Sequence, residues 1–183
     1  MKRQILWAPA LALWLAAALV ACGGKTLTTT EQTTPSEFEE VAEGSGEVMR
    51  LRTYDFEDTL TYNGQVYSYA IHRESDDQLP YVTDEEGQAF ADNRYTLTIR
   101  QGDNVCFQRQ FTKSSFASYL SRDIQEHGIL DGMVYDRELP GLCFAVSVSL
   151  PQSDMVEPLL VRVDLSGGIM ISPDTRNEND FEQ

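Results

Sequence analysis

In the stretch LCFAVSVSL, residues 142–150, large apolar side chains alternate with small or polar ones. The apolar set consists of Leu142, Phe144, Val146, Val148 and Leu150. Successive side chains of a β-strand point to opposite faces of its sheet, so this alternation predicts a strand with one face in the core. The stretch therefore indicates a sheet protein whose core is built from one face of each strand.

The same two-residue period continues on both sides of this stretch. It is present in residues 48–56, 66–73, 94–100 and 159–165. Asn63-Gly64, which separates the first two runs, is a strong hairpin signal because both residues tolerate positive φ. Strands joined by short turns, without alternating helices, favour antiparallel pairing. The predicted fold is mainly β: an antiparallel sheet, or a small sandwich or barrel-like meander, with one short helix packed on it.

One segment departs from this period and predicts the helix. Its apolar residues have the spacing of one helical face, and they are Phe116, Ala117, Leu120 and Ile124. Thr112 or Ser114 is expected to cap its start, and Gly128 is expected to end it. A binding surface is expected near Lys113 and Phe116 if the helix exposes one edge. A lysine beside a helix start is usually solvated, so no site residue is assigned there.

The N-terminal segment has the features of an export signal. Lys2 and Arg3 form a positive start, residues 5–20 are mostly apolar, and Cys22 follows Leu19-Val20-Ala21. The last four residues resemble the bacterial lipobox, which implies cleavage before Cys22 and acylation of its thiol. Two or three acyl chains, such as palmitate, anchor firmly because each buried methylene contributes about 0.8 kcal/mol. The alternative is an ordinary signal peptide, or an uncleaved anchor, in which Cys22 is incidental.

The expected organisation has four parts. Residues 1–21 form the lipoprotein signal peptide, and residues 22–46, rich in Gly, Thr, Ser and Glu, form a flexible tether. Such a composition buries too little apolar surface to offset the entropy of ordering. Residues 47–172 form a single antiparallel β-rich domain, and residues 173–183 form an acidic disordered tail.

The chain is strongly acidic. It carries 29 acidic and 14 basic side chains, which give a formal net charge of −15. Nucleic acids and anionic membrane surfaces are bound through basic patches, so this balance argues against both as partners. Neutral or cationic partners are expected.

Apart from Cys22, the chain has two cysteines, Cys106 and Cys143. Each falls on the less apolar face of a predicted strand. In an oxidising compartment they are a candidate disulfide, which would contribute about 4 kcal/mol in the chain-entropy account. Two separate, half-buried thiols are the alternative. The sequence has no C-x-x-C motif, so a thioredoxin-like redox role has no support.

No residue pattern specifies catalysis, a cofactor or a metal. The histidines, His72 and His127, occur without a G-x-S-x-G elbow and without clustered metal ligands. The carboxylates of Asp76-Asp77 and Asp84-Glu85-Glu86 lie in turn-like stretches. They are expected to be solvated side chains of acidic loops. A pair of these carboxylates acting on a glycoside is the alternative, since that reaction needs two carboxyls across a sugar-sized cleft.

Two further features concern glycans. Tyr62, Tyr67, Tyr69 and Tyr81 lie near the predicted hairpin, where packing within the sheet is expected and stacking on a glycan is the alternative. Asp58-Thr59-Leu60 resembles the short O-glycosylation sequence of Bacteroidota export proteins. Thr59 is therefore a candidate modification site.

Three longer stretches resemble a known family. They are DNRYTLTI at residues 92–99, FTKSSF at 111–116 and VSVSLP at 146–151, with Asp154 and Pro158-Leu159 following. These features are similar to a family of short Bacteroidota lipoproteins, domain of unknown function 4738, over roughly residues 47–172. The resemblance implies a lipoprotein from that group whose domain is an antiparallel sheet with a helix. It implies no reaction.

These observations predict a membrane-tethered lipoprotein of the cell envelope that acts as a non-catalytic binding or interaction module. A glycan-active hydrolase using loop carboxylates and a structural accessory of an envelope complex are the alternatives. The expected partners are the membrane, through the lipid anchor, and an envelope protein or a glycan.

The residues after Cys22 bear on the location of the anchor. Gly23-Gly24-Lys25-Thr26 follows Cys22, and the first acidic residue is Glu31. Surface lipoproteins of Bacteroidota place acids sooner, so an outer-membrane anchor facing the periplasm is favoured.

Overall fold

The computed structural model describes residues 38–39 and 47–176. The predicted signal peptide (1–21), Cys22 and most of the tether (22–46) lie outside the described residues, as do residues 177–183 of the predicted tail. No helix in the described ranges is long and apolar enough to cross a membrane.

The described chain consists mostly of strands, arranged in three four-stranded sheets. In chain order the strands are β1 (Phe38–Glu39), β2 (Val48–Leu51), β3 (Tyr54–Tyr62), β4 (Gln65–Ser75), β5 (Val82–Thr83), β6 (Ala89–Phe90), β7 (Asn93–Gln101), β8 (Asn104–Phe111), β9 (Ile129–Tyr135), β10 (Leu142–Ser149), β11 (Val156–Val163) and β12 (Ile169–Pro173). A 3₁₀ helix (Lys113–Tyr119) and helix α1 (Arg122–His127) lie between β8 and β9.

The first large sheet has the order β3-β4-β7-β8, and every neighbouring pair is antiparallel. Its first hairpin turns at Asn63 and Gly64, whose φ angles of 50° and 72° are the left-handed values that tight hairpin turns require. The hairpin predicted at these residues is confirmed. Tyr69, Ile71 and Leu97 on the inner face of the sheet are buried.

The second large sheet, in the order β12-β11-β10-β9, is an antiparallel meander. Phe144, Val146 and Val148 of β10 are buried, as the alternation predicts. Phe144 meets Tyr69 of the first large sheet with 5.9 Å between ring centroids, so the inner faces of the two sheets pack against each other. The predicted mainly β, sandwich-like fold with short helical structure is confirmed.

A β-bulge in β9 depends on a glycine. The pairing of β10 with β9 shifts between Ser147 and Val148, which lie opposite Gly132 and Leu130, so Asp131 is the extra residue. A Cβ on Gly132 would lie 2.2 Å from Ser147 Oγ. That hydroxyl donates to Asp131 Oδ1 at 2.6 Å. Gly132 therefore leaves room for the hydrogen bond that holds the bulged residue.

The small sheet, in the order β1-β2-β6-β5, departs from the predicted all-antiparallel pairing. Its strands β2 and β6 run parallel, with Val48 opposite Ala89. Strand β1 pairs antiparallel with residues 50–51. Residues 38–39 therefore belong to a sheet, whereas the sequence placed them in the flexible tether of residues 22–46. A ladder uses main-chain groups, so a polar composition does not prevent this pairing.

The single predicted helix is two segments. The chain first forms the 3₁₀ helix, and α1 then begins after Ser121, whose Oγ accepts the N–H of Ile124 at 3.5 Å. Phe116, Leu120 and Ile124 are buried as predicted. Ala117 is exposed, because a regular α-helical spacing does not hold across the change from 3₁₀ to α geometry.

Both ends of the helical region are capped by the residues that the sequence indicates. Thr112 precedes the 3₁₀ helix, and its N–H donates to Ser115 Oγ at 3.2 Å. Gly128 follows α1 with a φ of −78°, so it does not adopt the left-handed conformation expected of a terminating glycine. Close packing explains glycine here, since a Cβ would lie 2.6 Å from the carbonyl oxygen of Ile124.

The structure continues beyond the predicted domain boundary at residue 172. Asp174 donates its N–H to the carbonyl oxygen of Pro158 at 2.9 Å. The Arg176 guanidinium contacts Asp136 at 2.7 Å and Asp174 at 2.5 Å. Its hydrogen bond is the main reason that the pKa of Asp174 lies below the usual value. Residues 173–176, predicted as the start of a disordered tail, are therefore held by the domain.

Candidate functional site

A cavity of about 290 Å³ lies between the segment that leads into β5 and the two helical segments. Three charged residues line it, namely Asp92, Lys113 and Glu126. Glu126 is paired with Arg122 at 2.9 Å, whereas Asp92 and Lys113 come from distant parts of the sequence. Its apolar walls are formed by Leu79, Pro80, Val82, Ala117 and Leu120. We call it the Asp92/Lys113 cavity. A small, mostly apolar cavity with a few polar groups is the usual form of a ligand site.

Asp92 lies between β6 and β7, and it is 4% exposed. Its Oδ1 accepts the backbone N–H groups of Asn93 and Leu130, both at 2.8 Å. No group in the described part of the chain donates to its Oδ2. Burial raises the pKa of Asp92, and the two N–H donors and Lys113 oppose that rise. Asp92 thus carries one acceptor oxygen to which no described residue donates, on a side chain that lines the cavity.

Lys113 is the first residue of the 3₁₀ helix, and its side chain reaches back to the end of α1. Its Nζ donates to the carbonyl oxygen of Gly128 at 2.7 Å, which fixes the position of the ammonium group. Burial lowers the pKa of Lys113, and the charge of Asp92 opposes that effect. An ammonium has three N–H donors, so two remain for another partner. Among the described residues, no hydrogen bond or ion pair joins Lys113 to Asp92.

The rim of the cavity is held by surface contacts. The Tyr81 side chain is 46% exposed at the entrance, and its hydroxyl donates to Asp77 Oδ1 at 3.2 Å. Arg50 contacts the same oxygen at 2.6 Å. The hydrogen bond from Arg50 is the main reason that the pKa of Asp77 is lowered. The loop carboxylate Asp77 therefore positions Tyr81 and does not face the cavity itself.

A second, larger cavity of about 450 Å³ is acidic. Four carboxylates and one histidine contribute to it, namely Asp84, Glu85, Glu86, Asp123 and His127. Asp84 Oδ1 accepts the backbone N–H groups of Glu86 at 3.0 Å and Gln88 at 2.8 Å, so this carboxylate stabilises its own turn. The residues that line the cavity include no Phe, Tyr or Trp ring on which a sugar could stack. Among residues 47–176, no three His, Cys, Asp or Glu side chains are placed to hold a metal ion.

The two histidines lie apart from the Asp92/Lys113 cavity. His72 Nδ1 is 2.7 Å from Asp55 Oδ1, and His72 Nε2 is 3.7 Å from Glu74 Oε2. The hydrogen bond to Asp55 is the main reason that the pKa of His72 is raised. His127 lies at the end of α1 beside the acidic cavity.

The cysteine pairing that the sequence left open is not formed in the structure. Cys106 is in β8 of the first large sheet, and Cys143 is in β10 of the second. Both thiols are free. Cys143 is buried, donates to the carbonyl oxygen of Pro140 at 3.3 Å and accepts from Arg162 Nε at 3.3 Å. The Cys143 thiol therefore makes hydrogen bonds to Pro140 and Arg162 and no disulfide with Cys106.

The remaining candidates are distributed over the first large sheet. Thr59 is exposed on β3, an edge strand, where its hydroxyl remains a candidate for modification. Tyr67 and Tyr69 are buried in the core, and Tyr62 packs against it, so these rings have the packing role. Tyr81 belongs to the cavity rim. The lipidation candidate Cys22 lies outside the described residues.

The two facing antiparallel sheets and the helical segment beside them define a mainly β domain of the sandwich type. The chain belongs to the family described as a domain of unknown function (DUF4738), which matches residues 34–171. The match begins before β1, so it includes the strand that the sequence placed in the tether. No curated protein matches the chain.

Proposed function

We propose that the chain is a lipid-anchored lipoprotein of the cell envelope whose domain binds a small ligand in the Asp92/Lys113 cavity without transforming it. One observation carries the binding role: Asp92 is 4% exposed, yet one of its carboxylate oxygens has no donor among the described residues. Asp92 lines the cavity, so this unused acceptor is available to a hydrogen-bond donor of a ligand.

The anchor part of the proposal is supported by the sequence alone. Leu19-Val20-Ala21-Cys22 ends an apolar export signal, and acyl chains on Cys22 would hold the domain at a membrane. The favoured position is the outer membrane, facing the periplasm. The net charge of −15 supports partners other than nucleic acid.

The alternative of a glycan-active hydrolase has less support. Three of the five carboxylates that the sequence indicated have other roles, because Asp84 stabilises a turn, Asp76 pairs with Arg94, and Asp77 pairs with Arg50. The other two, Glu85 and Glu86, line the acidic cavity. A role as a structural accessory of an envelope complex is compatible with ligand binding and would be recognised by a co-purifying protein.

The anchor is tested by Cys22→Ala. Intact mass measured on protein from the native membrane is expected to show a diacyl or triacyl adduct, because the thiol of Cys22 is the proposed acylation site. The variant is expected to lack the adduct and to keep the mass of the uncleaved export signal, because Cys22 is also part of the cleavage motif. A wild-type chain without acyl groups would contradict the lipid anchor and would favour a diffusible protein.

The cavity is tested by filling it with a larger side chain. Ala117 lines the cavity and is exposed, so Ala117→Trp is expected to block the cavity without disturbing the core. Small-molecule extract from the native cells is offered to the full chain, and the mass of the non-covalent complex is measured. Wild-type protein should retain a ligand, and Ala117→Trp should lose at least about tenfold in affinity, a change of about 1.4 kcal/mol.

The matched control is Ser118→Trp. Ser118 is exposed on the same 3₁₀ helix but does not line the cavity, so this variant carries the same indole outside the site. Equal retention by the two variants, or no retention by wild-type protein, would contradict a binding role for the Asp92/Lys113 cavity.

A further inference from the structure

The chemistry of the Asp92/Lys113 cavity defines its ligand more closely, on the condition that the proposed function holds. One wall presents an acceptor, the unused Oδ2 of Asp92. The other presents the two remaining N–H donors of the Lys113 ammonium group. These two residues line one cavity, and no hydrogen bond or ion pair joins them. The third charged residue of the lining, Glu126, is paired with Arg122 at 2.9 Å. A ligand that supplies both an anionic acceptor and a cationic donor would complement both of these groups.

The size and walls of the cavity restrict the rest of the ligand. A volume of about 290 Å³ lies just below the range of about 300–1,000 Å³ found for ligand cavities, so the ligand is small. Leu79, Val82 and Leu120 line the cavity, and their apolar surfaces match an apolar group. The ligand therefore carries both charges at one end and an aliphatic or aromatic group at the other.

Ligands with one charge fit less well. A simple anion would satisfy Lys113 but would bring its charge towards Asp92 and into a chain of net charge −15. A simple amine would satisfy Asp92 and leave the two donors of Lys113 unused. A neutral sugar would leave the charges of Asp92 and Lys113 without a charged partner.

We infer that the Asp92/Lys113 cavity binds a zwitterionic α-amino acid with an apolar side chain. The ammonium group of the ligand donates to Asp92 Oδ2, and its carboxylate accepts from Lys113 Nζ. The apolar side chain packs against Leu79, Val82 and Leu120. Charge-assisted hydrogen bonds at both ends are stronger than neutral ones and supply selectivity for the zwitterion.

The inference is tested by titration calorimetry on the full chain with three related probes. L-Leucine has both charges, L-leucinamide lacks the carboxylate, and N-acetyl-L-leucine lacks the ammonium group. Leucine is expected to bind, and each analogue is expected to bind at least about tenfold more weakly, since a lost charge-assisted hydrogen bond is worth about 1.5–3 kcal/mol.

Two variants assign each ligand charge to its residue. In Lys113→Met the preference for leucine over leucinamide should disappear, while the preference over N-acetyl-leucine remains. In Asp92→Asn the second preference should disappear, while the first remains. Should Asp92→Asn fail to fold, the three probes on wild-type protein and Lys113→Met still decide the assignment.

Failure of the inference is distinct from failure of the proposed function. Two outcomes overturn the amino-acid assignment and leave the binding role intact. In the first, the three probes bind equally. In the second, leucine does not bind, but wild-type protein retains another molecule that the Ala117→Trp variant does not retain. Absence of any binding that Ala117→Trp removes overturns both. A preference for leucine over leucinamide that persists in Lys113→Met would place the ligand elsewhere on the domain.

Discussion

Phe144→Ala is expected to lower the free energy of unfolding by about 3–5 kcal/mol, the usual cost of truncating a buried phenylalanine. Phe144 is 0% exposed, and its ring centroid lies 5.9 Å from that of Tyr69 and 5.5 Å from that of Tyr135. Its contact with Tyr69 joins the two large sheets. Removing the ring therefore leaves a cavity between them, which denaturant-induced unfolding followed by circular dichroism would detect as a lower midpoint.

Val134→Ala is the matched control. Val134 is in β9, beside β10, but its side chain is 47% exposed on the outer face of the same sheet. A change within about 0.5 kcal/mol is expected there, as for most surface substitutions. Similar losses in the two variants would contradict the assignment of the core to the inner faces.

The second prediction is that Arg73→Met lowers the free energy of unfolding by about 1–3 kcal/mol, the usual cost of leaving hydrogen-bonding groups without their partner. Arg73 is 4% exposed. Its guanidinium donates to the carbonyl oxygen of Arg52 at 2.8 Å and to that of Asp131 at 3.3 Å, and it lies 5.6 Å from the centre of the Tyr54 ring. Methionine keeps most of the aliphatic volume but satisfies neither carbonyl group.

The loss in Arg73→Met is expected to depend on pH through Asp131. Burial raises the pKa of Asp131, whereas hydrogen bonds from Ser147 and Ser149 and the charge of Arg73 oppose that rise. Without Arg73 the pKa rises further. Stability from a raised carboxyl pKa is full below the unfolded-state value of about 4 and is lost as pH rises through the folded-state pKa. The deficit should therefore be larger at neutral pH than at about pH 4.

Unfolding curves of wild-type protein and Arg73→Met at the two pH values measure this effect. Arg109→Met is the control, because Arg109 is an exposed arginine in β8 of the same sheet. It should change stability by no more than about 0.5 kcal/mol at either pH. A deficit in Arg73→Met that is the same at both values would argue against electrostatic coupling to Asp131.

The large sheets were predictable from the sequence because their strands are long enough to show a period. Phe144, Val146 and Val148 alternate with small or polar residues, and Asn63-Gly64 specifies its turn locally. The small sheet was not predictable in this way. Its strands β5 and β6 have two residues each, and the partners in the parallel pair of β2 and β6 are about forty positions apart in sequence. No local pattern reports such a pairing.

The candidate site was missed for a related reason. In the sequence, Lys113 is marked by its position beside a helix start. Asp92 has no such mark, because a polar residue before a strand is common. Their proximity depends on the position of the 3₁₀ helix against the segment from β6 to β7. One signal was present: Asp92 follows Ala89-Phe90-Ala91 and precedes a buried strand, so its carboxylate was placed among apolar residues.

The small sheet gives the domain an element that is expected to form late and open early. Most neighbouring strands of the large sheets follow one another along the chain, whereas β2 must find β6 after the intervening chain has been closed into a loop. Short ladders with few buried contacts are also the parts that open locally without global unfolding. Strand β5 of this sheet contributes Val82 to the wall of the Asp92/Lys113 cavity. A molecule bound in the cavity would stabilise the closed form of the small sheet. The small sheet would therefore open less often when the cavity is occupied.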